Sequence, residues 1–253
     1  MYRVAIATYK RYTALGEKTL KTLSDNNIDK SIIDIFVNNQ EEYELYRPLY
    51  PDYNMIVGEV GMVQIRNYLF NHYEPGANVF CMDDDITGFK MKNGSKTMPI
   101  DNLHNHIEKG FNLCKEHNTC LFGISPTDNG YFMNDEPSTN LKFCVGWTFG
   151  VVIDKETLQL DTQTKGNYED YERSVNVFKK YGKVIRLNNI SATTKYNVPN
   201  SGGLCIGDRS IGMLADLEIL KEKFVPQYIF IKKKKSSLIG LNPQVKSNIK
   251  NIL

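Results

Sequence analysis

The sequence predicts an α/β fold built on a mixed, mostly parallel sheet flanked by helices. Three observations carry this expectation. Short apolar runs of strand character alternate with helix-patterned stretches through the first half of the chain, the order that builds parallel sheets. One of these runs, Asn78-Val79-Phe80-Cys81, leads directly into Met82-Asp83-Asp84-Asp85, and ligands of such sheets sit beyond the carboxyl ends of the strands. The chain has 253 residues, 41% hydrophobic and 24% charged, enough to bury a full core.

Arg3 to Thr8 reads as the first strand, apolar from Val4 to Ala7. A helix carrying Leu15, Leu20 and Leu23 follows and ends at the turn cluster Asp25-Asn26-Asn27. Ile32 to Val37 is a second strand, Gln40-Glu41-Glu42 an acidic helix start, and Asn54 to Val57 a short third strand. Val63 to Phe70 has helical character, and Asn78 to Met82 is the fourth strand. Ile86 to Met98 reads as a polar loop; a helix to about His117 then starts with Asp101 as its cap. Thr119 to Ser125 is a strand, and Pro126 to Asn140 a loop over a site. Lys142 to Ile153 reads as one long strand containing Gly146-Trp147. Asn167 caps a helix to about Tyr181, Lys183 to Leu187 is a strand, and Asn188 to Gly207 is irregular. Asp208 to Phe224 is a last helix, with a final strand near Tyr228 to Ile231.

Three consecutive acids at the end of a buried strand repel one another unless a cation or a set of donors neutralises them. Mg²⁺ and Mn²⁺ prefer oxygen ligands and commonly share them with a phosphate. In an extended segment Asp83 and Asp85 share a face, so they are the candidate metal ligands. Asp84 points away or binds backbone donors. A solvated acidic turn is the competing account.

The net charge of +2 hides an asymmetry. Residues 1–175 hold 17 Lys and Arg against 25 Asp and Glu, a net −8; residues 176–253 hold 14 against 4, a net +10. The densest basic run is Lys232-Lys233-Lys234-Lys235. Lysines without a base-reading motif suit phosphate-backbone contact, and a solubilising tail explains them equally well. No apolar run reaches the length of a membrane span. The N-terminus enters a strand directly rather than a signal peptide. The five cysteines have no metal-type spacing and read as reduced thiols in a cytoplasmic setting.

Gly61 to Asn67, with its Gln64-Ile65-Arg66-Asn67, followed by Cys81-Met82-Asp83-Asp84-Asp85-Ile86, resembles nucleotide-sugar glycosyltransferases of the GT-A fold. Within that fold it is similar to the DNA-base glycosyltransferases of phages and eukaryotes, the base J glucosyltransferase and its TET/JBP-associated relatives. The resemblance covers roughly residues 1–205, which it makes the catalytic domain. Residues 206–253 are then a basic helix-and-strand extension packed on it. It implies a nucleoside diphosphate sugar donor, UDP-sugar in particular, with Mn²⁺ or Mg²⁺. It also implies transfer to a hydroxymethylated pyrimidine in DNA.

The same resemblance places Thr8, Tyr9 and Arg11 around the donor's base, ribose and phosphates, with Arg66 and Asn67 against the phosphates or the first acid. Asp83 and Asp84 join the donor site, and Asp83 and Asp85 hold the metal. Trp147 beside glycines can pack on sugar or acceptor, or be core. In GT-A enzymes that invert configuration, a Glu-Asp pair downstream of the metal motif supplies the base. Here Asp170 lies at the edge of the apolar stripe Tyr171, Val175, Phe178, and Glu169 lies on the polar face. Asp170 is therefore the expected base and Glu169 the second choice. Lys195 and Lys232 to Lys235 are the expected DNA contacts. A glycan, protein or small-molecule acceptor remains open, as do a non-catalytic nucleic-acid-binding protein and a nucleotidyltransferase. The last would carry a Gly-rich phosphate loop after its first strand, and none follows Thr8.

Overall fold

Strand β1 (Arg3–Thr8) pairs in parallel on both sides, with β2 (Ile33–Val37) and with β4 (Asn78–Asp83); β3 (Asn54–Val57) pairs in parallel beyond β2. The computed structural model describes residues 1–194, 210–235 and 237–249. Among them a nine-stranded sheet runs β3-β2-β1-β4-β8-β7-β9-β5-β6. Its second half comprises β5 (Gly88–Asn93), β6 (Lys96–Pro99), β7 (Leu121–Ser125), β8 (Thr148–Val152) and β9 (Ile185–Thr193). β8 is antiparallel between β4 and β7, so the sheet is mixed with a parallel four-strand half.

Strand alternation fills both faces. Val4, Ile6, Phe80 and Met82 point into one core layer, while Ala5, Val79 and Cys81 point into the other. The first layer is covered by the helical run α1 (Tyr12–Ala14), a π-helical segment at Leu15–Leu20, and α2 (Lys21–Asp25), and then by α3 (Gln40–Tyr46). The second is covered by α4 (Met62–His72), with Ile65, Leu69 and Phe70 inward. Further along the chain α5 (Leu103–Glu116) returns to the first layer; α6 (Lys155–Leu158), α7 (Glu169–Tyr181) and α8 (Ser210–Phe224) lie on the second. Leu217, Leu220 and Phe224 of α8 and Ile229 of β10 (Ile229–Lys233) are buried in that second layer. β10 pairs antiparallel with β11 (Leu241–Val245) in a separate hairpin.

Four expectations are corrected. Residues 88–99 form the edge hairpin β5–β6 rather than a loop, because β5 finds a partner in β9 that local polarity does not announce. The expected strand 142–153 is regular only over Thr148–Val152; Gly146 and Trp147 sit in a turn before it. β9 extends to Thr193, past the expected end at Leu187. β11 was not anticipated: Pro243 argues against an interior strand, but here it lies in a two-stranded hairpin with no ladder to interrupt beyond its partner. The α5 cap is Asn102, whose side chain accepts from Asn105 N–H. Cys81, Cys114, Cys120 and Cys144 are buried free thiols; Cys205 lies outside the described residues. Among the described residues no helix is long and apolar enough to cross a membrane.

Candidate functional site

The parallel register Ala7↔Asp83 puts the carboxyl ends of β1 and β4 side by side, so the segments that follow them meet. Thr8 Oγ1 donates to Asp84 Oδ2 at 2.6 Å. Arg11 reaches Asp84 at 2.6 Å and Asp85 at 2.9 Å through one guanidinium nitrogen. Thr194 Oγ1 donates to the other Asp85 oxygen at 2.9 Å. The π-helical segment contributes Thr19, which donates to the Asp83 carbonyl at 2.8 Å and accepts from Ile86 N–H at 2.9 Å. The acid turn is thus pinned at both ends, with a helical irregularity of the kind often found at functional sites. The strand ends at Asp83, and Asp84 and Asp85 lie in the turn. Alternation therefore does not govern the triplet: Asp84 does not turn away, and all three carboxylates line one cavity.

Arg66 is 1% exposed and lies on α4 behind the triplet. One of its nitrogens donates to Asp83 at 2.6 Å and to the Gly146 carbonyl at 3.1 Å. Gly146 N–H in turn donates to Asp170 Oδ2 at 3.3 Å. A single chain of contacts therefore joins the first acid of the triplet to the start of α7. Glu169 is buried and paired with Arg173, whose guanidinium stacks 3.6 Å over the Phe149 ring. The expectation that Glu169 lies on the polar face of α7 is corrected: Glu169 and Arg173 are both buried, because at i, i+4 the two charges pair with each other. Asp216 was also unforeseen. Buried on α8, it accepts from the backbone N–H groups of Lys165 and Asn167 and from the Asn167 side chain. Asn167 is thereby a tether to α8 rather than the cap of α7, a position held by Tyr168.

Burial pushes the Asp170 carboxyl up to about 7, with the neighbouring Glu169 charge adding to the rise and Arg173 opposing it. Burial likewise raises Asp83 to about 6 against the pull of Arg66. Carboxyls shifted this way in a cleft mark functional-site candidates.

The cavity is about 620 Å³. Thr8, Tyr9, Arg11, Arg66, Trp147, Glu169 and Asp170 all line it with the triplet. Asn67 is placed elsewhere: its side chain bonds both the N–H (2.9 Å) and the carbonyl (3.0 Å) of Leu160, tying α4 to the segment before α7. From the basic run, Lys234 lines the cavity; Lys232, Lys233 and Lys235 are exposed away from it. Lys195 and the Ser201-Gly202-Gly203 stretch lie outside the described residues. Five lining carboxylates face three lining cations, Arg11, Arg66 and Lys234, leaving an excess of two negative charges. That excess and the all-oxygen donor set fit a hard divalent cation. Among the described residues no three ligating side chains converge on one point, so such an ion would complete its shell with oxygens of a ligand.

Solved structures similar to this chain share its fold. Glucosyl-3-phosphoglycerate synthase from Mycobacterium tuberculosis, in complex with Mn²⁺, uridine diphosphate and phosphoglyceric acid, superposes with a TM-score of 0.51 at 9% identity. The match covers 98% of this chain and 87% of that one. The same enzyme with Mn²⁺, UDP-glucose and phosphoglyceric acid gives a TM-score of 0.50 at 10% identity, covering 98% and 88%. A further mycobacterial protein gives 0.50 at 9% identity, covering 97% and 83%. The fold is GT-A. No protein-family model matches the sequence, and the search of curated proteins finds no match. At this identity the likeness extends to the fold alone.

Gly146 is a close joint of the site. A Cβ added there would lie 2.5 Å from Glu169 Oε1. Gly146→Ala is therefore expected to push the buried, Arg173-paired Glu169 carboxylate off its position and cost about 1–3 kcal/mol, the usual range for overpacking. Thermal denaturation of the variant measures it; an unchanged melting temperature would sink the argument.

Proposed function

We propose that this chain is a metal-dependent glycosyltransferase that moves a sugar from a nucleoside diphosphate sugar, UDP-sugar, to an acceptor hydroxyl. The observation that carries the reading is the convergence of the Asp83–Asp85 turn and a raised-pKa carboxyl, Asp170, on one cavity of a GT-A fold. Solved structures of the same fold hold Mn²⁺ and UDP or UDP-glucose, which supports the donor and metal assigned here.

Asp83 and Asp85 would hold Mn²⁺ or Mg²⁺, which when bound offsets the charge of the departing diphosphate. Thr8, Tyr9 and Arg11 lie where β1 opens into the cavity and bind the donor, with Asp84 keeping Thr8 and Arg11 in place. Arg66 holds Asp83 and, through Gly146, Asp170 in one frame. Asp170 takes the acceptor proton as the hydroxyl oxygen attacks the anomeric carbon. Glu169, neutralised by Arg173, is left without that task and raises the Asp170 pKa. Attack assisted by a base in this way inverts the anomeric centre, and product NMR reads the configuration directly.

Asp85→Asn is expected to lower Mn²⁺-dependent UDP-sugar hydrolysis by at least about 100-fold, since even outer contacts of a metal site are worth 10–100-fold. Retention of full activity would remove Asp85 from the metal site. A chain that neither binds UDP nor hydrolyses any UDP-sugar with Mn²⁺ present would overturn the reading as a whole.

The acceptor proposed by resemblance is a hydroxymethylated pyrimidine in DNA. One observation lies on its side: Lys234, inside the basic run, lines the cavity. Transfer of labelled sugar to hydroxymethyl-containing DNA, set against unmodified DNA, tests it; no more label on the hydroxymethyl-containing DNA than on the unmodified DNA would discard it.

A further inference from the structure

We infer that Glu42 and Tyr46 of α3 are positioning residues that hold Tyr9, Lys10 and Arg11 in a left-handed turn and so preset the donor end of the cavity. The inference rests on the glycosyltransferase reading and names what shapes that same site before the donor arrives.

Lys10 has φ +55°, a region where a residue with a Cβ is strained. Among the described residues the other non-glycine positions with positive φ are Asn27 and Asn118, a residue type that tolerates this region. Lysine has no short polar side chain to bond its own backbone, so groups outside the turn must hold it there. Strain of this kind persists where the surroundings over-determine it, and it clusters at ligand sites. Lys10 stands between Tyr9 and Arg11, which both line the cavity, while its own side chain is exposed.

The holding groups come from α3. Glu42 and Tyr46 are one turn apart on that helix and both are buried. Glu42 Oε2 accepts from Lys10 N–H at 3.0 Å, and its other oxygen accepts from the Tyr12 hydroxyl at 2.7 Å. Tyr46 Oη accepts from Arg11 N–H at 2.9 Å, and its ring packs on Tyr12 with centroids 4.6 Å apart. Two successive backbone amides of the turn are therefore bound by two side chains of one helix. The start of that helix is fixed in turn by Asn39, whose side chain accepts from Glu42 N–H at 2.9 Å.

The direction of the hydrogen bonds follows from their chemistry. Asp84, paired with the Arg11 guanidinium, is a carboxylate and only accepts. Thr8 spends its single proton on Asp84, so Tyr46 is the donor in the 2.8 Å contact between Tyr46 Oη and Thr8 Oγ1. The run from Arg11 N–H through Tyr46 and Thr8 to Asp84 closes on the guanidinium of Arg11. One phenolic oxygen thus ties the donor turn to the acid turn, and removing it opens the ring. A turn already held in the shape the donor meets spares binding the cost of ordering it.

The test is calorimetric titration of UDP with Mn²⁺ into the full chain and its variants, well below their melting temperatures. Tyr46→Phe should raise the UDP Kd about ten-fold, the effect of cutting the binding-ready turn to about a tenth of the population. Glu42→Leu should act in the same direction. Glu42→Gln, which still offers an oxygen to Lys10 N–H, should stay within about two-fold of the native chain. In the Tyr46→Phe background, Lys10→Gly should recover about three-fold or more, because glycine takes positive φ without the Cβ penalty. Lys10→Ala removes the same ammonium but keeps the Cβ, and should recover none of it. In UDP-sugar hydrolysis the donor KM of Tyr46→Phe should rise with kcat nearly unchanged, the mark of lost binding rather than lost chemistry. A merely structural loss would not be repaired by glycine. Native UDP affinity in both Tyr46→Phe and Glu42→Leu, or a loss that Lys10→Gly recovers no better than Lys10→Ala, overturns the inference and spares the donor reading. A native chain that binds no UDP overturns the donor reading and the inference with it.

Discussion

Asp170→Asn should slow sugar transfer by about 10²–10⁴-fold, the contribution of a placed general base, while UDP binding persists. Asp170 lies at the first turn of α7, half-buried in the cavity wall, with one oxygen on Gly146 N–H and the other on Tyr171 N–H. Its carboxyl titrates near 7, and the deprotonated form is the base. The kcat/KM of the native chain should therefore rise with pH through a midpoint near 7, and the residual rate of the Asn variant should lose that step. The stability effect has the opposite sense. A carboxyl that holds its proton more tightly folded than unfolded favours the fold most below about pH 4. That advantage is lost as pH rises through 7. At pH 8 the Asn variant should melt no lower than the native chain. A variant that melted earlier and kept its pH step would reassign Asp170 to a structural role.

Arg66→Ala should destabilise the fold by about 3–5 kcal/mol, the cost of removing one partner of a buried pair. Arg66 is fully buried, its guanidinium carbon 5.5 Å from the centre of the Phe149 ring, and Asp83 is its ion-pair partner. Two of its nitrogens have no hydrogen-bond partner, so its retention in the core is not repaid by its own bonds. Its position is explained instead by what it joins, the acid turn and the Gly146 carbonyl. Replacing both charges, Arg66→Met with Asp83→Asn, should recover much of the loss, because no lone charge is then left in the pair. Chemical denaturation of the single and double variants gives the coupling directly. An Arg66→Ala variant within about 1 kcal/mol of the native chain would show that surface ion pairing, not burial, sets the energy of this contact.

The strands that carry the site were legible because their residues must satisfy two buried faces at once. Val4 to Ala7 and Val79 to Met82 are continuous apolar runs for that reason, and each matches its observed strand. The edge strands were not legible. Gly88–Asn93 and Lys96–Pro99 are half solvated, so their polar pattern is that of a loop until β9 supplies a partner. Gly146-Trp147 was read into a strand because the apolar composition of 143–153 is continuous; the turn there depends on contacts with Arg66 and Asp170, both distant in the chain.

The sequence by itself determined the α/β alternation and the position of the acids at a strand end. These follow from local periodicity and from like charges that need a counter-charge. The tertiary structure decided what each charge faces. Asp84 meets Thr8 and Arg11 through the β1–β4 register. Asn67 turns to Leu160, Arg66 spans the acid turn and Gly146, and Lys234 reaches the cavity on a hairpin whose second strand contains a proline. Such pairings join residues tens of positions apart, and a one-dimensional pattern carries no term for the distance between them.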